Sequence, residues 1–485
     1  MQSTMKVTIT RSGGYLRIDP IIPDLLAKLS FSYTVRDKIK KKFFDQKTGK
    51  MREVFVDGPI GSVKKNLYKI TKDGNGVITY DGLLTLVKKT LFKLKYEIDI
   101  LEPNGAIYEE PEITERVFEG LYPDQKTAVE AVLSHDGGCL VNAATNTGKT
   151  RIIAALCRAF SKHRGLVVTN RQSVATKLYK DLQDLAPECD PGVYLSSKKA
   201  KGRTMVITSK SLQKFDPSNI SYILFDEAHS ASSPVTSEQL LRFKTSKKCG
   251  FSGTLSGGFK GLSKYLESVF GPTVFTLTDQ ELEEMERATP LHVYTIKVDK
   301  GVQFSKTTQN LTMEKNGVWY NRHRNKLLSE CVNLVPKDQQ LVIYVRTLAH
   351  LEELMSDYLK DSGFEIYHGS ISTKEKIRVM GGFNSGDMKR IISTDCLAEG
   401  VDPKALFVTI NANWTQSDVS VLQKDGRNRR LTEGKGYGVV IDFNDMWCER
   451  MQRKSKTRID LYKSRGYKLF EDVSPDQIQF LQDAT

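Results

Sequence analysis

The sequence predicts an α/β protein in which two tandem domains with parallel sheets follow a small basic α/β domain. Three observations support this fold class. A phosphate-binding loop, residues 143–150, lies between an apolar strand and an amphipathic helix. Strand and helix patterns alternate up to an acidic tetrad at 226–229, and they alternate again from about Leu291. The first fifth of the chain is strongly basic. We therefore expect domains at residues 1–105, 112–285 and 290–485.

The composition is that of a globular protein in water. The 485 residues are 39% hydrophobic and 27% charged, with a mean hydropathy of −0.38. No apolar run approaches the roughly 18 residues of a membrane span, and residues 1–10 lack the apolar segment of a signal peptide. We expect a cytoplasmic protein, in a host cytoplasm if a phage encodes it, with no membrane partner. The seven scattered cysteines form no C-x-x-C pair, so buried thiols are expected rather than disulfides or zinc.

Positive charge is concentrated at the N-terminus. The formal net charge is +14, and residues 1–100 hold 20 Lys/Arg against 10 Asp/Glu. Such an excess suits a nucleic acid, because each neutralised phosphate releases counterions; a solvated basic surface is the alternative. Aromatic residues lie among these lysines and predict either a stacking face for bases or a small core: Phe31, Tyr33, Phe43 and Phe44.

The phosphate-binding loop runs Ala-Ala-Thr-Asn-Thr-Gly-Lys-Thr and departs from G-x-x-x-x-G-K-[ST] only at its first position. Backbone N–H groups of such a loop and the positive end of the next helix surround nucleotide phosphates. Lys149 would reach the β- and γ-phosphates, and the Thr150 hydroxyl would ligate Mg²⁺. An ordinary loop before a core helix is the alternative. The expected nucleotide-binding residues of the loop are Ala143, Thr145, Asn146, Thr147, Gly148, Lys149 and Thr150.

Two further features of the first large domain suit a nucleotide. Gln125, at a helix start some twenty residues before the loop, can donate and accept hydrogen bonds at an adenine edge. Asp226 and Glu227 follow the apolar strand 222–225, where the first carboxylate can hold Mg²⁺ and the second can take a proton from an attacking water. Adjacent acids that merely cap a helix are the alternative.

Small polar and basic residues follow other strands, at the ends where open α/β sheets bind ligands. In the first large domain these include Thr208 and the segment 169–171. Ser252-Gly253-Thr254 follows a later strand and could link the acidic tetrad to the other lobe. Residues 273–300, with an acidic run at 281–286, have the character of a connection between lobes.

The second large domain repeats the pattern. Arg346 and Thr394 follow apolar strands. Residues 424–430 offer four basic side chains, and the guanidinium groups among them could face a γ-phosphate and neutralise its charge. A plain basic helix start is the alternative. The pair Arg322 and Arg324 is expected on a solvated helix face. Residues 450–468, with eight basic residues and one acidic residue, predict a basic helix packed on this domain.

This ordered set of motifs resembles that of the superfamily 2 helicases over about residues 115–445. Within that superfamily the chain is most similar to the UvsW-type recombination and repair helicases of tailed phages, in which a small N-terminal α/β domain precedes two RecA-like P-loop lobes. The motifs that carry the resemblance are Gln125, Gly148-Lys149-Thr150, Thr169-Asn170-Arg171, Asp226-Glu227-Ala228-His229, Ser252-Gly253-Thr254, Thr394 with Gly400 and Asp402, and Gln423-x-x-Gly426-Arg427-x-x-Arg430.

The resemblance implies an ATP- and Mg²⁺-dependent DNA helicase that unwinds or branch-migrates forks, Holliday junctions, R-loops or D-loops, with a monomer favoured. The predicted domain at 1–105 would then bind DNA, the domain at 112–285 would bind ATP, and the domain at 290–485 would carry the arginine motif. An RNA helicase and a nucleotide-dependent junction clamp are the other two hypotheses. By resemblance, the catalytic residues are Lys149, Glu227, Arg427 and Arg430; the nucleotide also meets Gln125, Asp226, Gly400 and Asp402; Thr150 and Asp226 hold Mg²⁺; and Arg171, Thr208, Arg346 and Thr394 touch nucleic acid.

Overall fold

The computed structural model describes residues 5–45, 50–102, 109–255, 262–304, 310–398, 405–414, 418–432 and 434–480. The chain divides into two compact units, residues 1–277 and 278–485. The second unit therefore begins before the predicted boundary at 285–290, and the predicted domain limits stay a prediction. Within the described residues, no helix is long and apolar enough to cross a membrane.

The first unit begins with a small five-stranded sheet and a separate two-stranded ribbon. Its strand order is β5-β6-β2-β1-β7, while β3 and β4 pair only with each other. The elements are β1 Lys6–Ser12, β2 Tyr15–Asp19, α1 Pro23–Lys28, β3 Ser30–Asp45, β4 Lys50–Asn66, β5 Tyr68–Ile70, β6 Val77–Tyr80, α2 Leu84–Lys93 and β7 Glu97–Leu101.

Alternating apolar residues of β1 and β2 form the core of this small sheet. Val7, Ile9, Leu16 and Ile18 are completely buried there, as the period-2 pattern predicts. Phe31 packs partly against the same core, so the core interpretation is confirmed for this aromatic residue. The part of the chain that the structure describes does not include the side chains of Tyr33, Phe43 and Phe44 or residues 103–108.

An eight-stranded sheet forms the rest of the first unit, in the order β11-β10-β12-β9-β13-β14-β8-β15. Neighbouring strands are parallel, except that β10 and β11 are antiparallel. The elements are α3 Pro123–Leu133, β8 Cys139–Ala143, α4 Lys149–Ala159, β9 Gly165–Thr169, α5 Gln172–Leu185, β10 Pro191–Tyr194, β11 Lys199–Ala200, β12 Thr204–Thr208, β13 Tyr222–Asp226, α6 Pro234–Leu241, β14 Lys247–Ser252, α7 Leu262–Phe270 and β15 Thr273–Leu277.

The second unit is built on a seven-stranded parallel sheet in the order β18-β19-β17-β20-β21-β16-β22. Its elements are α8 Asp279–Glu284, β16 Leu291–Val298, α9 Asn310–Glu314, α10 Arg322–Leu334, β17 Gln340–Tyr344, α11 Leu348–Asp357, β18 Phe364–Tyr367, α12 Thr373–Ser385, β19 Arg390–Ser393, β20 Leu406–Asn411, α13 Asp418–Arg427, β21 Gly438–Asp445, α14 Glu449–Ser464 and β22 Lys468–Val473.

The central strands of each large sheet are apolar and form the core of their unit. Strands β9 and β17 are buried at every residue, because helices cover both faces of a parallel sheet. The predicted basic helix is α14, which packs on the second unit through Met451, Ile459 and Tyr462. All seven cysteines are free; five are buried, and Cys396 and Cys448 are partly buried.

The boundary between the two units falls after Leu277, inside the predicted connection at residues 273–300. That segment also contains β15 of the first sheet, helix α8 and β16 of the second sheet. One expectation about charged residues was wrong. Arg324 does not lie on a solvated face: its side chain is fully buried, 3.1 Å from Asp445, and its NH1 donates to Ala412 O at 2.8 Å. Arg322, the other arginine of that pair, is exposed.

Candidate functional site

Three loops of the first unit meet at one edge of its sheet. Strands β13, β14 and β8 are parallel neighbours, and Asp226 pairs with Phe251 while Ser252 pairs with Asn142. Since these residues lie at the carboxyl ends of their strands, the acidic tetrad, the Ser252 segment and the phosphate-binding loop emerge side by side. This is the edge at which parallel sheets bind ligands.

The phosphate-binding loop is held by its own backbone. Gly148 has a φ of 81° and immediately precedes α4, which begins at Lys149. A left-handed backbone favours glycine at this position. Lys149 Nζ donates to Ala143 O at 3.1 Å and to Ala144 O at 3.4 Å. These acceptors are neutral carbonyl groups, so the ammonium carries charge that a phosphate would neutralise.

Gln125 lies against the loop. Its side chain is 1% exposed; Nε2 donates to Thr147 O at 2.7 Å, and Oε1 accepts from Tyr122 N at 3.1 Å. A Cβ added to Gly148 would lie 2.4 Å from Gln125 Nε2. Gln125 therefore supports the loop directly, a contact that the sequence does not reveal. Its predicted contact with adenine stays a prediction.

The two adjacent carboxylates differ in their surroundings. Burial, followed by the charge of Glu227, raises the pKa of Asp226 to about 6, against the opposing charge of Lys149. Glu227 has a φ of 56°, and its Oε2 lies 3.3 Å from His229 Nδ1. A bound cation would stabilise the ionised form of Asp226, which burial and the charge of Glu227 disfavour in its absence.

His229 connects the acidic tetrad to the strand beside it. Its Nδ1 lies 3.1 Å from Ser252 Oγ and 3.4 Å from Thr254 Oγ1. The two hydroxyls are 3.3 Å apart. The hydroxyls thus contact the tetrad within the first unit, whereas their predicted link to the other lobe stays a prediction.

These residues fit a magnesium nucleotide. Helix α4 begins directly at Lys149, and its Gly148 N-cap supplies no side-chain cap, so its positive end suits a phosphate. No group of three or more His, Cys, Asp or Glu side chains among the described residues could hold a metal alone. Mg²⁺ commonly takes one or two protein ligands and completes its shell with phosphate and water. Thr150 and Asp226 are the side chains that would supply those ligands.

The predicted nucleic-acid residues lie at strand ends in both units. In the first unit, Thr208 ends β12, and exposed Arg171 follows the neighbouring strand β9. In the second, Arg346 follows β17 and Thr394 follows the neighbouring β19. Arg346 Nε is 3.4 Å from Glu314 Oε1, and the Arg346 side chain is 50% exposed. Each pair is thus brought to one sheet edge; contact with nucleic acid stays a prediction.

The arginine motif offers fewer cations than its sequence suggests. Of the four basic side chains at 424–430, Lys424 and Arg429 are completely buried, whereas Arg427 and Arg430 are partly exposed. Lys424 and Arg429 are therefore part of the interior of the second unit. Arg427 and Arg430 stay the predicted γ-phosphate ligands, and Gly400 and Asp402 lie outside the described residues.

Comparison with known families assigns both units. Residues 119–257 match the family described as "Type III restriction enzyme, res subunit", and residues 323–432 match "Helicase conserved C-terminal domain". One match lies in each unit, and together they cover about half of the chain. The chain belongs to the superfamily 2 helicases. The predicted pair of RecA-like domains is thereby confirmed.

Individual similarities are more distant. The UvrABC system protein B of Staphylococcus epidermidis is 26% identical over 195 residues, which are 39% of this chain and 26% of that protein. The chain thus spans about a quarter of that relative. S. cerevisiae Dbp5 bound to RNA and ADP BeF3 aligns with a TM-score of 0.53 at 16% identity, over 75% of this chain and 94% of Dbp5. T4 UvsW aligns with a TM-score of 0.40 at 17% identity, over 96% of this chain and 99% of UvsW.

Proposed function

We propose that this helicase is a DNA translocase that unwinds or branch-migrates forked and branched DNA during phage replication, recombination and repair. The observation that carries the enzymatic part is the placement of Asp226 and Glu227 at the same sheet edge as the lysine loop. A protein that only binds nucleotide as a switch needs no carboxylate for the attacking water. A carboxylate with a lysine at one edge instead suits hydrolysis.

In the proposed site each side chain has one task. Lys149 binds the β- and γ-phosphates, and Thr150 with Asp226 would hold Mg²⁺, which neutralises phosphate charge when bound. Glu227 accepts the proton of the attacking water, with His229 3.3 Å away to orient it. Arg427 and Arg430 neutralise charge that develops on the γ-phosphate. By the resemblance to superfamily 2 helicases, Gln125, Gly400 and Asp402 would also contact the nucleotide.

Movement along the strand would follow from two separate grips. Arg171 and Thr208 belong to the first unit, and Arg346 and Thr394 belong to the second. If ATP binding and hydrolysis change the distance between the units, the two sets of residues bind and release the same strand in turn, and the strand moves past the protein. The basic residues at 1–100 would hold the duplex or branch on which this movement acts. The resemblance to UvsW-type helicases, with a small basic domain first and a basic helix after the arginine motif, supports DNA as the polymer.

RNA is the second candidate, because the solved structure of Dbp5 that aligns over 75% of this chain contains RNA. Motor motifs that bind phosphates do not distinguish the two sugars.

The test is ATP-dependent strand separation across forked DNA, four-way junctions, R-loops and RNA duplexes, with Lys149→Ala as the inactive control. We expect forks and junctions to be processed fastest. Faster unwinding of RNA duplexes would overturn the choice of DNA, and tight junction binding without strand separation by the wild-type protein would favour a clamp.

A further inference from the structure

The turn that follows helix α13 carries a buried arginine, Arg429, whose partners are side chains and main-chain groups of the protein. Arg429 has no exposed surface; its NH1 lies 2.5 Å from Asp279 Oδ1, and its NH2 lies 3.0 Å from Glu283 Oε1. NH2 also donates to the main-chain oxygen of Asp279 at 2.7 Å. One guanidinium thus joins the arginine motif to helix α8, 150 residues earlier in the chain.

The carboxylate of Asp279 is the centre of this contact. It is 4% exposed, and it also lies 3.4 Å from Arg465 NH1 and 3.4 Å from the hydroxyl of Tyr467. Burial acts to lower the pKa of Arg429, but Tyr467, Asp279 and Glu283 outweigh it and the pKa is raised. The guanidinium therefore stays charged, and a buried charge that loses its partner is strongly unfavourable.

The segment after α8 also holds the main chain of the turn. Thr289 is 1% exposed; its N–H donates to Arg429 O at 2.8 Å, and its Oγ1 donates to Arg430 O at 2.9 Å. A short segment, residues 279–289, therefore binds the side chain of one arginine and the carbonyl groups of two.

Asn428 is fixed by a second set of contacts. Lys435 Nζ donates to Asn428 O at 2.5 Å and to its Oδ1 at 2.9 Å, while Asn428 Nδ2 donates to Val439 O at 2.7 Å. Each of the residues 428–430 is thus held by hydrogen bonds or ion pairs. The partly exposed Arg427 ends helix α13, and the partly exposed Arg430 extends from a turn with little freedom to move.

We infer that Asp279 and Arg429 are positioning residues for ATP hydrolysis, which act by fixing the turn that presents Arg430. The inference rests on the proposed role of Arg427 and Arg430. Stabilisation of a transition state depends on donors being placed before charge develops, so a turn that drifts loses rate without losing ground-state binding. Residues 279–289, which the sequence marks only as an acidic connection, would then set the efficiency of the motor.

Asp279→Asn and the milder Thr289→Val test the inference, with Asp445→Asn as a matched control. The control weakens the Arg324–Asp445 ion pair, which is as deeply buried in the same unit, without touching residues 428–430. For both test variants we expect kcat of nucleic-acid-stimulated ATP hydrolysis to fall, by about 10-fold for Asp279→Asn, while the Kd of a fluorescent ATP analogue changes less than about 3-fold. The control Asp445→Asn should lower the Tm by as much as Asp279→Asn does, and its kcat should stay within about 3-fold of the wild-type value.

The decisive measurement combines Asp279→Asn with Arg430→Ala. If Asp279 acts through Arg430, it adds almost nothing in that background, because the positioned group is already gone. If Asp279→Asn keeps the wild-type kcat while Arg430→Ala lowers it, the inference is overturned and the proposed function is not. The same holds if Asp279→Asn lowers kcat by the same factor in the wild-type and the Arg430→Ala backgrounds. Full hydrolysis by Arg430→Ala instead overturns the arginine role in the proposed function, and the inference with it.

Discussion

The phosphate-binding loop of the first unit and the arginine motif of the second are stabilised in opposite ways. The loop is held by nearby main-chain groups: Lys149 donates to carbonyl groups five and six residues before it, and Thr147 donates to Ala144 O. The arginine motif is held by side chains far away in sequence, above all Asp279 with Arg429.

The difference corresponds to what each region has to do. Contacts of Lys149 to neutral carbonyl groups are weak enough to exchange for a phosphate. The contacts of Arg429 need never change, since that side chain is buried away from solvent. The contacts of the loop are therefore suited to being exchanged for those of a nucleotide, whereas the contacts of Arg429 are suited to staying unchanged.

The largest expected effect comes from removing the Lys149 ammonium, which would exchange its carbonyl partners for phosphate. Lys149→Ala should reduce ATP hydrolysis at least about 100-fold, because a principal charge that stabilises the phosphates is lost. Binding of nucleic acid in the absence of nucleotide should be unchanged, since the hydrogen bonds of the Lys149 ammonium among the described residues go to carbonyl groups of its own loop. Hydrolysis assays and fluorescence anisotropy would measure both.

Lys162→Ala is the control for this prediction, because Lys162 is 72% exposed and pairs only weakly with Glu112 at the surface. Substantial hydrolysis by Lys149→Ala would show that the phosphates bind elsewhere.

The next effect concerns stability and pH. The pKa of Asp226 is raised from 3.8 to about 6, so the folded state binds this proton more tightly than the unfolded state. The stability that protonation contributes is complete below pH 3.8 and is lost as the pH rises through 6. Asp226→Asn should therefore stabilise the nucleotide-free protein at pH 8 by up to about 3 kcal/mol, and by roughly half of that at pH 5. Urea unfolding at the two pH values measures the difference.

The same substitution should abolish Mg²⁺-dependent hydrolysis, as expected of a binding site whose stability is sacrificed for function. An Asp226→Asn variant that is less stable than the wild type at pH 8 would show that the carboxylate is favourably paired in the free protein, and the site would then not be waiting for a cation.

Local spacing made the first region predictable from the sequence. The order strand, loop, lysine and helix is encoded within about a dozen neighbouring residues, and the apolar strand 222–225 with its acidic end is equally local. Because carboxyl ends of parallel strands share an edge, the meeting of the loop, the tetrad and Ser252 follows from the fold class.

The second region was less predictable because its partners are remote. Arg324 meets Asp445 at a separation of 121 residues, and Arg429 meets Asp279 at a separation of 150. A basic residue on a helix has the same local pattern whether it faces water or a buried carboxylate. Only the tertiary fold distinguishes the two, and for that reason the sequence did not predict the burial of Arg324.

The smallest expected effect lies in the support of the loop. Gln125→Ala removes the hydrogen bond to Thr147 O, so we expect the KM for ATP to rise about 3- to 10-fold with little change in kcat. Comparing ATP with GTP separates two roles of the amide. If Gln125 only supports the loop, the KM values for ATP and GTP rise by the same factor, because both nucleotides bind through their phosphates. If it also contacts the base, the preference for ATP falls. Gln125→Glu, which loses the donor but keeps the acceptor for Tyr122 N, should behave like the alanine variant; wild-type behaviour would show that the bond to Thr147 O does not hold the loop for binding.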